Sequence, residues 1–176
     1  VEAQDIQVIG TSENGFSISG FSASAGSNST GDAGDLRIQA NTLLVKDGGQ
    51  IDASTFGQGK GGNLSVDADN IQLIGTTKNN EFASGLFTSA EPNSTGNAGN
   101  LTVKANILQL ENEAKLSVES LGTGTAGNLI INADYIRLNN NALFSANTSN
   151  NEIDSDKEQA TININSRELI MRRGSN

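Results

Sequence analysis

Apolar and polar residues alternate in a skeleton that recurs along nearly the whole chain. One copy, residues 127–138, reads Gly-Asn-Leu-Ile-Ile-Asn-Ala-Asp-Tyr-Ile-Arg-Leu. It reduces to G-[N/D]-L-x-[I/V]-x-A-x-x-[L/I]-x-[L/V]. Alternation of period two is typical of β-strands, because successive side chains of a strand point to opposite faces. The skeleton therefore predicts two short strands, separated by the polar pair that follows the alanine.

The second apolar position of the skeleton shows the period of the repeat. It is filled by Val1, Ile38, Val66, Val103, Ile131 and Ile164. Their spacings are 37, 28, 37, 28 and 33 residues, so a long unit alternates with a short one. The alanine position and the other apolar positions keep their residue types in the same way. Self-similarity at a fixed period is the signature of a solenoid built from stacked units.

A third, shorter alternation follows in each unit. It is Ile51-x-Ala53 and Leu116-x-Val118 in short units, with Phe21-x-Ala23 and Leu86-x-Thr88 as counterparts in long ones. Three short strands joined by corners make one triangular coil, and six copies of the skeleton predict about six coils. Parallel strands stack about 4.8 Å apart, so each column becomes an interior row of like side chains. The sequence predicts an all-β fold, a parallel β-helix.

Two other folds agree less well with the repeat. A Greek-key sandwich also has short strands at regular spacing, but it does not keep one residue type in one column over six units. Helices conflict with the many Gly, Asn, Ser and Thr residues that interrupt every unit. A solenoid explains the repeat better than either.

The predicted corners of the coils also repeat their residue types from unit to unit. Gly127 and its equivalents precede the Asn128 position, where a corner with positive φ would favour glycine. The next column, Asp35, Asn63, Asn100 and Asn128, predicts a ladder of side-chain hydrogen bonds from coil to coil. Calcium is the alternative, because Asp32 and Asp35 lie beside Gly31 and Gly34 in an oxygen-rich turn. The equivalent positions hold Asn97 and Asn100, which offer less charge, so the ladder is favoured.

Long units differ from short ones by loop insertions between the second and third strands, on alternate coils. The insertions are segments 10–20 and 75–85, and both begin with Gly-Thr and end with Ser-Gly. Insertions at one corner of a solenoid protrude from one side, so we expect these two flaps to touch. A third excursion covers residues 147–159. The candidate interaction residues on the flaps are Glu13, Asn14, Phe16, Lys78, Asn79, Asn80, Glu81 and Phe82.

Composition excludes several functions. The formal net charge of −9 and pI of about 4.4 disfavour nucleic acid and anionic membranes, because like charges repel. The chain has no His and no Cys, which removes Ser-His pairs, thiolate nucleophiles and the usual zinc ligands. No apolar run reaches the roughly 18 residues of a membrane span. We therefore predict no catalytic residue, no cofactor and no metal site, and no enzyme activity.

A few side chains stay open as functional candidates. Asp67 and Asp69 flank Ala68, and Asp52 lies on another face. Such paired carboxylates are the remaining enzymatic hypothesis. The alternative is that they are ordinary side chains that face the solvent beside inward apolar residues. Six Phe, one Tyr and no Trp leave an aliphatic core. Phe56, Phe87 and Phe144 are expected to be single exposed apolar residues.

Three segments resemble a known family. Residues 96–103 (Gly-Asn-Ala-Gly-Asn-Leu-Thr-Val), 71–76 (Ile-Gln-Leu-Ile-Gly-Thr) and 166–175 (Ser-Arg-Glu-Leu-Ile-Met-Arg-Arg-Gly-Ser) resemble repeats of large cyanobacterial filamentous-haemagglutinin-like exoproteins. These are similar to two-partner secretion exoproteins, which leave the cell through an outer-membrane transporter. The family's Asn-Pro motifs of the secretion domain are not found here, since Pro92 precedes Asn93. The resemblance thus covers the fibre and not the export signal.

The resemblance implies a right-handed β-helix, displayed at the bacterial cell surface or secreted, that acts as a stalk and adhesin. Right-handedness also agrees with the general preference of parallel crossovers. The implied partners are a cell-surface or matrix ligand such as a glycan and, for the full-length parent only, the outer-membrane transporter. The alternative function is a carbohydrate-binding or polysaccharide-processing β-helix. We expect residues 1–176 to form one segment of a longer repeat protein, with unpaired strand edges that favour end-to-end self-association.

Overall fold

The computed structural model describes residues 1–10, 18–148 and 160–176, and within them the chain forms strands and no helix. Every pair of named strands is parallel. The predicted all-β fold with parallel strands is therefore confirmed. In chain order the strands are β1 (Asp5–Ile9), β2 (Gly20–Ser22), β3 (Leu36–Lys46), β4 (Gln50–Asp52), β5 (Leu64–Ile74), β6 (Gly85–Phe87), β7 (Leu101–Glu111), β8 (Lys115–Ser117), β9 (Leu129–Asn139), β10 (Leu143–Ser145), β11 (Ile162–Asn165) and β12 (Glu168–Met171).

The strands form two sheets, and the chain passes from one to the other in turn. The larger sheet has the order β1-β3-β5-β7-β9-β11, with β12 also paired to β9. The smaller sheet has the order β2-β4-β6-β8-β10. Within each sheet, neighbours in space are equivalent strands of successive repeat units. Because parallel strands cannot be joined by a tight hairpin, each return to a sheet requires a crossover connection.

The pairing register confirms the columns that the repeat predicts. In the larger sheet Val66 pairs with Ile38 and Val103, and Val103 pairs with Ile131. The alanines pair with one another in the same order. In the smaller sheet Ile51 pairs with Phe21 and Leu86. Like side chains therefore lie over one another in both sheets.

The first two strands predicted for each unit are one strand in the inner repeats. Each of β3, β5, β7 and β9 has 11 residues and continues through the position after the alanine. Ala40 pairs with Ala68 and Thr42 with Asn70, so pairing resumes after a single residue. The bend thus leaves the hydrogen-bonded ladder almost intact. In the last repeat two strands, β11 and β12, replace the long one, and in the first repeat β1 covers only its second half.

The hydrophobic core consists of the inward rows of both sheets, which form one cluster. Leu108 and Leu110 from the larger sheet are 0% exposed, as are Leu86 and Leu116 from the smaller one. The exposure predicted for Phe144 is wrong, because its side chain is buried in this cluster. Phe144 pairs with Leu116 on β8 and so continues an interior column of the smaller sheet. Phe56 is exposed as predicted.

The prediction that the glycines before the Asn128 column have positive φ is wrong. Gly34, Gly62, Gly99 and Gly127 do not have positive φ. Instead, a Cβ on Gly99 would lie 2.0 Å from the carbonyl oxygen of Gly62, and one on Gly127 would lie 1.9 Å from that of Gly99. Successive repeats approach so closely here that no side chain fits. The requirement is for close backbone contact, not for a left-handed conformation.

Candidate functional site

A ladder of side-chain hydrogen bonds runs along one corner of the repeats. The backbone N–H of Asn63 donates to Asp35 Oδ1 at 2.8 Å, and that of Asn100 donates to Asn63 Oδ1 at 3.1 Å. The N–H of Asn128 donates to Asn100 Oδ1 at 2.8 Å, and Thr161 continues the series on Asn128. The predicted ladder is confirmed. Its oxygens are used to join repeats, so this corner is structural.

The calcium alternative loses its ligands to the same kind of bond. Asp32 Oδ1 accepts from the backbone N–H of Lys60 at 2.8 Å, and Asp35 Oδ1 accepts two donors from Asn63. Among the described residues, no three acidic side chains converge as a metal site would require. Asp32 Oδ1 and Asp35 Oδ1 therefore serve to join repeats, as the oxygens of the ladder do.

The two flaps leave the stack at another corner, between the larger and the smaller sheet, and each is closed by the same backbone hydrogen bond. Ser19 donates its backbone N–H to Gly10 O at 3.1 Å, and Ser84 donates to Gly75 O at 2.9 Å. Gly10 and Gly75 have φ of 77° and 76°. The insertions thus leave the repeat at equivalent positions, on the side where each long strand ends. Glu13, Asn14 and Phe16 lie outside the described residues, as do 149–159 of the third excursion, so the expected contact between the flaps stays a prediction.

Flap 75–85 is a small antiparallel turn organised by Thr77. Thr76 and Ala83 form an antiparallel bridge, and Thr77 Oγ1 accepts the backbone N–H groups of Glu81 and Phe82, each at 3.1 Å. Asn80 adopts a φ of 57° at the turn. These bonds hold the flap in one shape, and the Lys78 side chain is exposed at its tip.

Most polar side chains at the tip of this flap bond to one another. Thr77 Oγ1 donates to Asn79 Oδ1 at 2.5 Å, and Asn79 Nδ2 donates to Glu81 Oε2 at 2.8 Å. Thr76 Oγ1 donates to Asn80 Oδ1 at 2.9 Å. The structure therefore brings Asn79, Asn80 and Glu81 together mainly as parts of the turn. Phe82 is half-buried beneath them.

Polar side chains also line the surface on both sides of the alanine column. We call this surface the alanine strip and define it by the residues before and after each alanine, and before and after Ser166, which takes the place of alanine in the last repeat: Glu2, Gln4, Gln39, Asn41, Asp67, Asp69, Lys104, Asn106, Asn132, Asp134, Asn165 and Arg167. Two pockets open along it. One, of about 510 Å³, lies beside Ala3 and Ala40, and the other, of about 400 Å³, lies beside Ala105 and Ala133. The alanine side chains of the inner repeats pack into or against the core, and the pockets lie outside them, between the flanking polar side chains.

Side chains of the alanine strip pair between neighbouring strands. Lys104 Nζ lies 3.3 Å from Asp67 Oδ2. Asn106 Nδ2 donates to Asp69 Oδ1 at 3.1 Å. Arg167 Nε lies 3.2 Å from Asp134 Oδ1. Asp67 and Asp69, the sequence-predicted pair, thus each bond to the adjacent repeat on opposite sides of the alanines.

Sequence reasoning missed a second acidic surface, on the outer face of the smaller sheet. Asp52 accepts hydrogen bonds from the hydroxyls of Ser24 and Ser54, and Glu119 accepts one from Ser145. Glu91 lies beside them, and its pKa is raised above 4.5 by burial and, to a lesser degree, by the charges of Asp52 and Glu119. The available signal was the alternation itself, which places residues 52 and 119 on the outer face.

The comparisons with known proteins add no relative. Family models, curated proteins and solved structures were searched, and none matches this chain. The described residues contain no helix of the length and apolarity needed to cross a membrane.

Proposed function

We propose that the chain is a right-handed parallel β-helix of about six triangular coils. We further propose that it is a structural and adhesive repeat module of a secreted or cell-surface fibrous exoprotein of the filamentous-haemagglutinin-like kind. The observation that carries the proposal is the unbroken register. Strands separated by 28, 33 or 37 residues pair so that the inward-facing apolar residues of one repeat meet those of the next.

Hydrogen bonds beyond the two sheets support a closed coil. Between the short strand and the next long strand, Ala33 donates its N–H to Lys60 O, and Gly61 donates to Asn97 O, both at 2.8 Å. Isolated parallel bridges join Ala25, Thr55, Ala90, Ser120 and Thr148 in order. Successive repeats are thus bonded along the connecting segments as well as along the strands. A structure bonded on every side resists bending, as a stalk must.

Exposed apolar side chains on the last repeat support self-association of this chain. Ile162, Ile164, Leu169 and Met171 occupy the columns that are buried in inner repeats, yet they are 39–45% exposed. Strands β1 and β11 have one unpaired edge each within the described residues, and such edges pair readily with another strand. Arg172 and Arg173 lie at one end, whereas Glu2 and Asp5 lie at the other. We propose that a second copy docks end to end on these edges.

Fusions of one, two and three copies test the stalk. Negative-stain electron microscopy should show rods whose length increases by the same increment with each copy, roughly 30 Å for six coils at about 4.8 Å each. Beads coated with the folded chain should be retained on a matrix of cell-surface polysaccharide, and beads coated with heat-unfolded chain should not. Compact particles that do not lengthen would contradict the stalk, and equal retention of both beads would contradict adhesion.

The second candidate function is a polysaccharide-processing β-helix, and the alanine strip favours it. Asp67 and Asp69 flank one alanine of this strip, and the cation Lys104 lies 3.3 Å from Asp67, which is an arrangement that carbohydrate chemistry can use. Release of reducing ends from soluble polysaccharides would reveal such an activity. Turnover that is lost in both Asp67→Asn and Asp69→Asn would replace the adhesive proposal, and no turnover on any polymer would reject this candidate.

A further inference from the structure

We infer that the alanine strip binds an extended, neutral polysaccharide, with the sugar chain lying along the alanine column. The inference rests on the proposed adhesive function and names its ligand class and its surface. It is carried by three observations: the spacing of the polar side chains, their bonding to one another, and the balance of charge among them.

The spacing of the strip matches a repeating ligand. Equivalent side chains such as Lys104 and Asn132 sit on paired positions of neighbouring strands, and paired parallel strands are about 4.8 Å apart. One pyranose unit of an extended polysaccharide has nearly this length. Successive sugars would therefore meet polar side chains at equivalent positions of successive repeats, although the residue types differ from repeat to repeat. A globular ligand would gain nothing from such a row.

The chemistry of the strip suits hydroxyl groups. Amides predominate beside the two pockets, including Gln39 and Asn41 at one and Asn106, Asn132 and Asn165 at the other. An amide offers both donors and acceptors, and a sugar hydroxyl both donates and accepts. The pockets between the flanking polar side chains leave space for a ring.

Six of the twelve side chains of the strip bond to one another in pairs. Asn106 bonds to Asp69, Lys104 to Asp67, and Arg167 to Asp134. Side chains that are ordered before binding lose less conformational entropy when a ligand arrives. These three pairs are exposed, with the Lys104 and Arg167 side chains 68% and 75% accessible, so a ligand can reach them directly.

The charges of the strip select a neutral polymer over an acidic one. Each of the two cations, Lys104 and Arg167, lies beside a carboxylate that balances it. Glu2 and Asp69 add negative charge, and the whole chain carries −9. A polyanion such as polygalacturonate would be repelled over the length of the strip. A neutral chain meets no such penalty.

Paired variants test the inference. In Asn106→Ala/Asn132→Ala both amides are removed from the strip. The control, Gln72→Ala/Gln109→Ala, removes two mutually bonded amides from neighbouring strands of the same sheet but outside the strip. Binding is measured by a glycan array and then by calorimetry with neutral glucan, xylan and mannan and with acidic polygalacturonate and alginate. Circular dichroism and thermal unfolding verify that each variant is folded.

The inference predicts binding to at least one neutral polymer and none to the acidic ones. It also predicts a loss of tenfold or more in the strip variant and a change of less than twofold in the control. Binding to acidic polymers alone, equal losses in both variants, or no binding to any polymer would overturn it. Rods that lengthen with copy number while no polymer binds would leave the stalk intact and reject the ligand.

Discussion

Asn100 Oδ1 accepts a hydrogen bond at 2.8 Å from the backbone N–H of Asn128, which lies 28 residues later in the chain. Asn100 in turn donates its own N–H to Asn63 Oδ1, 37 residues earlier. Short and long repeats thus form the same hydrogen bond at the same corner, although they differ by nine residues in length. The insertion leaves the stack without disturbing it.

Replacing Asn100 by alanine should lower the free energy of unfolding by about 1 kcal/mol, the typical worth of a hydrogen bond. The change removes the acceptor of the Asn128 N–H and the donor to Asn63. Chemical denaturation measures the loss. Asn106→Ala is the matched control, because its amide bonds only to an exposed side chain, that of Asp69. If Asn106→Ala lowers the free energy of unfolding as much as Asn100→Ala does, the ladder stabilises the fold no more than an ordinary surface hydrogen bond.

Gly99→Ala should destabilise the fold by about 1–3 kcal/mol, as overpacked sites do. The new Cβ would lie 2.0 Å from Gly62 O, and backbone on both sides cannot move away without breaking the ladder. Gly26→Ala is the control, since a Cβ there meets nothing within 4 Å. Its effect should stay within about 0.5 kcal/mol. Equal melting temperatures for the two variants would contradict the close approach of the repeats.

The repeat predicts most of the fold because a column must satisfy the same packing in every unit. Residues 38, 66, 103 and 131 could be aligned by spacing alone, and the structure pairs them. The asparagine ladder was predictable for the same reason, since it also recurs at the repeat spacing. Phe144 was mispredicted because its unit was not aligned with the third strand, where Leu116 would have indicated its burial.

The sequence could not show what depends on distance between repeats. Gly99 has the residue type expected of a left-handed corner, and only the approach of Gly62 O reveals the other cause. Glu91 lies outside the repeated skeleton, so no column pointed to its contact with Asp52 and Glu119. The break in the alternation after the alanine indicates the bend, but only the structure shows that pockets form beside Ala40 and Ala105.

Glu91 should make the protein less stable as pH rises. Its pKa in the folded chain is raised above the ordinary 4.5, so well below pH 4.5 the side chain is protonated in both the folded and the unfolded state and its burial carries no penalty. Between pH 4.5 and the raised pKa the folded state holds the proton more tightly, and that advantage is lost as pH rises through the raised value. Glu91→Gln should therefore raise the melting temperature at pH 7 relative to the unchanged chain.

Melting temperatures from pH 4 to pH 7 measure this effect. Glu113→Gln, a substitution of an exposed side chain, is the control and should keep the pH dependence of the unchanged chain. A Glu91→Gln chain that melts at the same temperature as the unchanged chain at pH 7 would show that the burial of this carboxylate costs nothing.

Ile164→Lys should weaken end-to-end association, because it places a charge on the apolar edge of the last repeat. Sedimentation velocity over a range of concentrations should show a smaller increase in mass for this variant. Ile107→Lys is the control, since Ile107 is 38% exposed, close to the 39% of Ile164, yet lies within the sheet. A strict monomer at every concentration, or equal association of both variants, would reject the docking of a second copy.

Distances between spin labels test the stacked solenoid most directly, and the absence of cysteine makes labelling unambiguous. Gln7, Gln109, Arg137 and Ile170 belong to one outer column of the larger sheet, on β1, β7, β9 and β12. Cysteines placed at Gln7 and at each of the others in turn should give backbone separations of about 14, 19 and 24 Å. A steady increase of about 4.8 Å per repeat is the predicted result. Distances that stay constant, or that do not follow repeat order, would contradict the account.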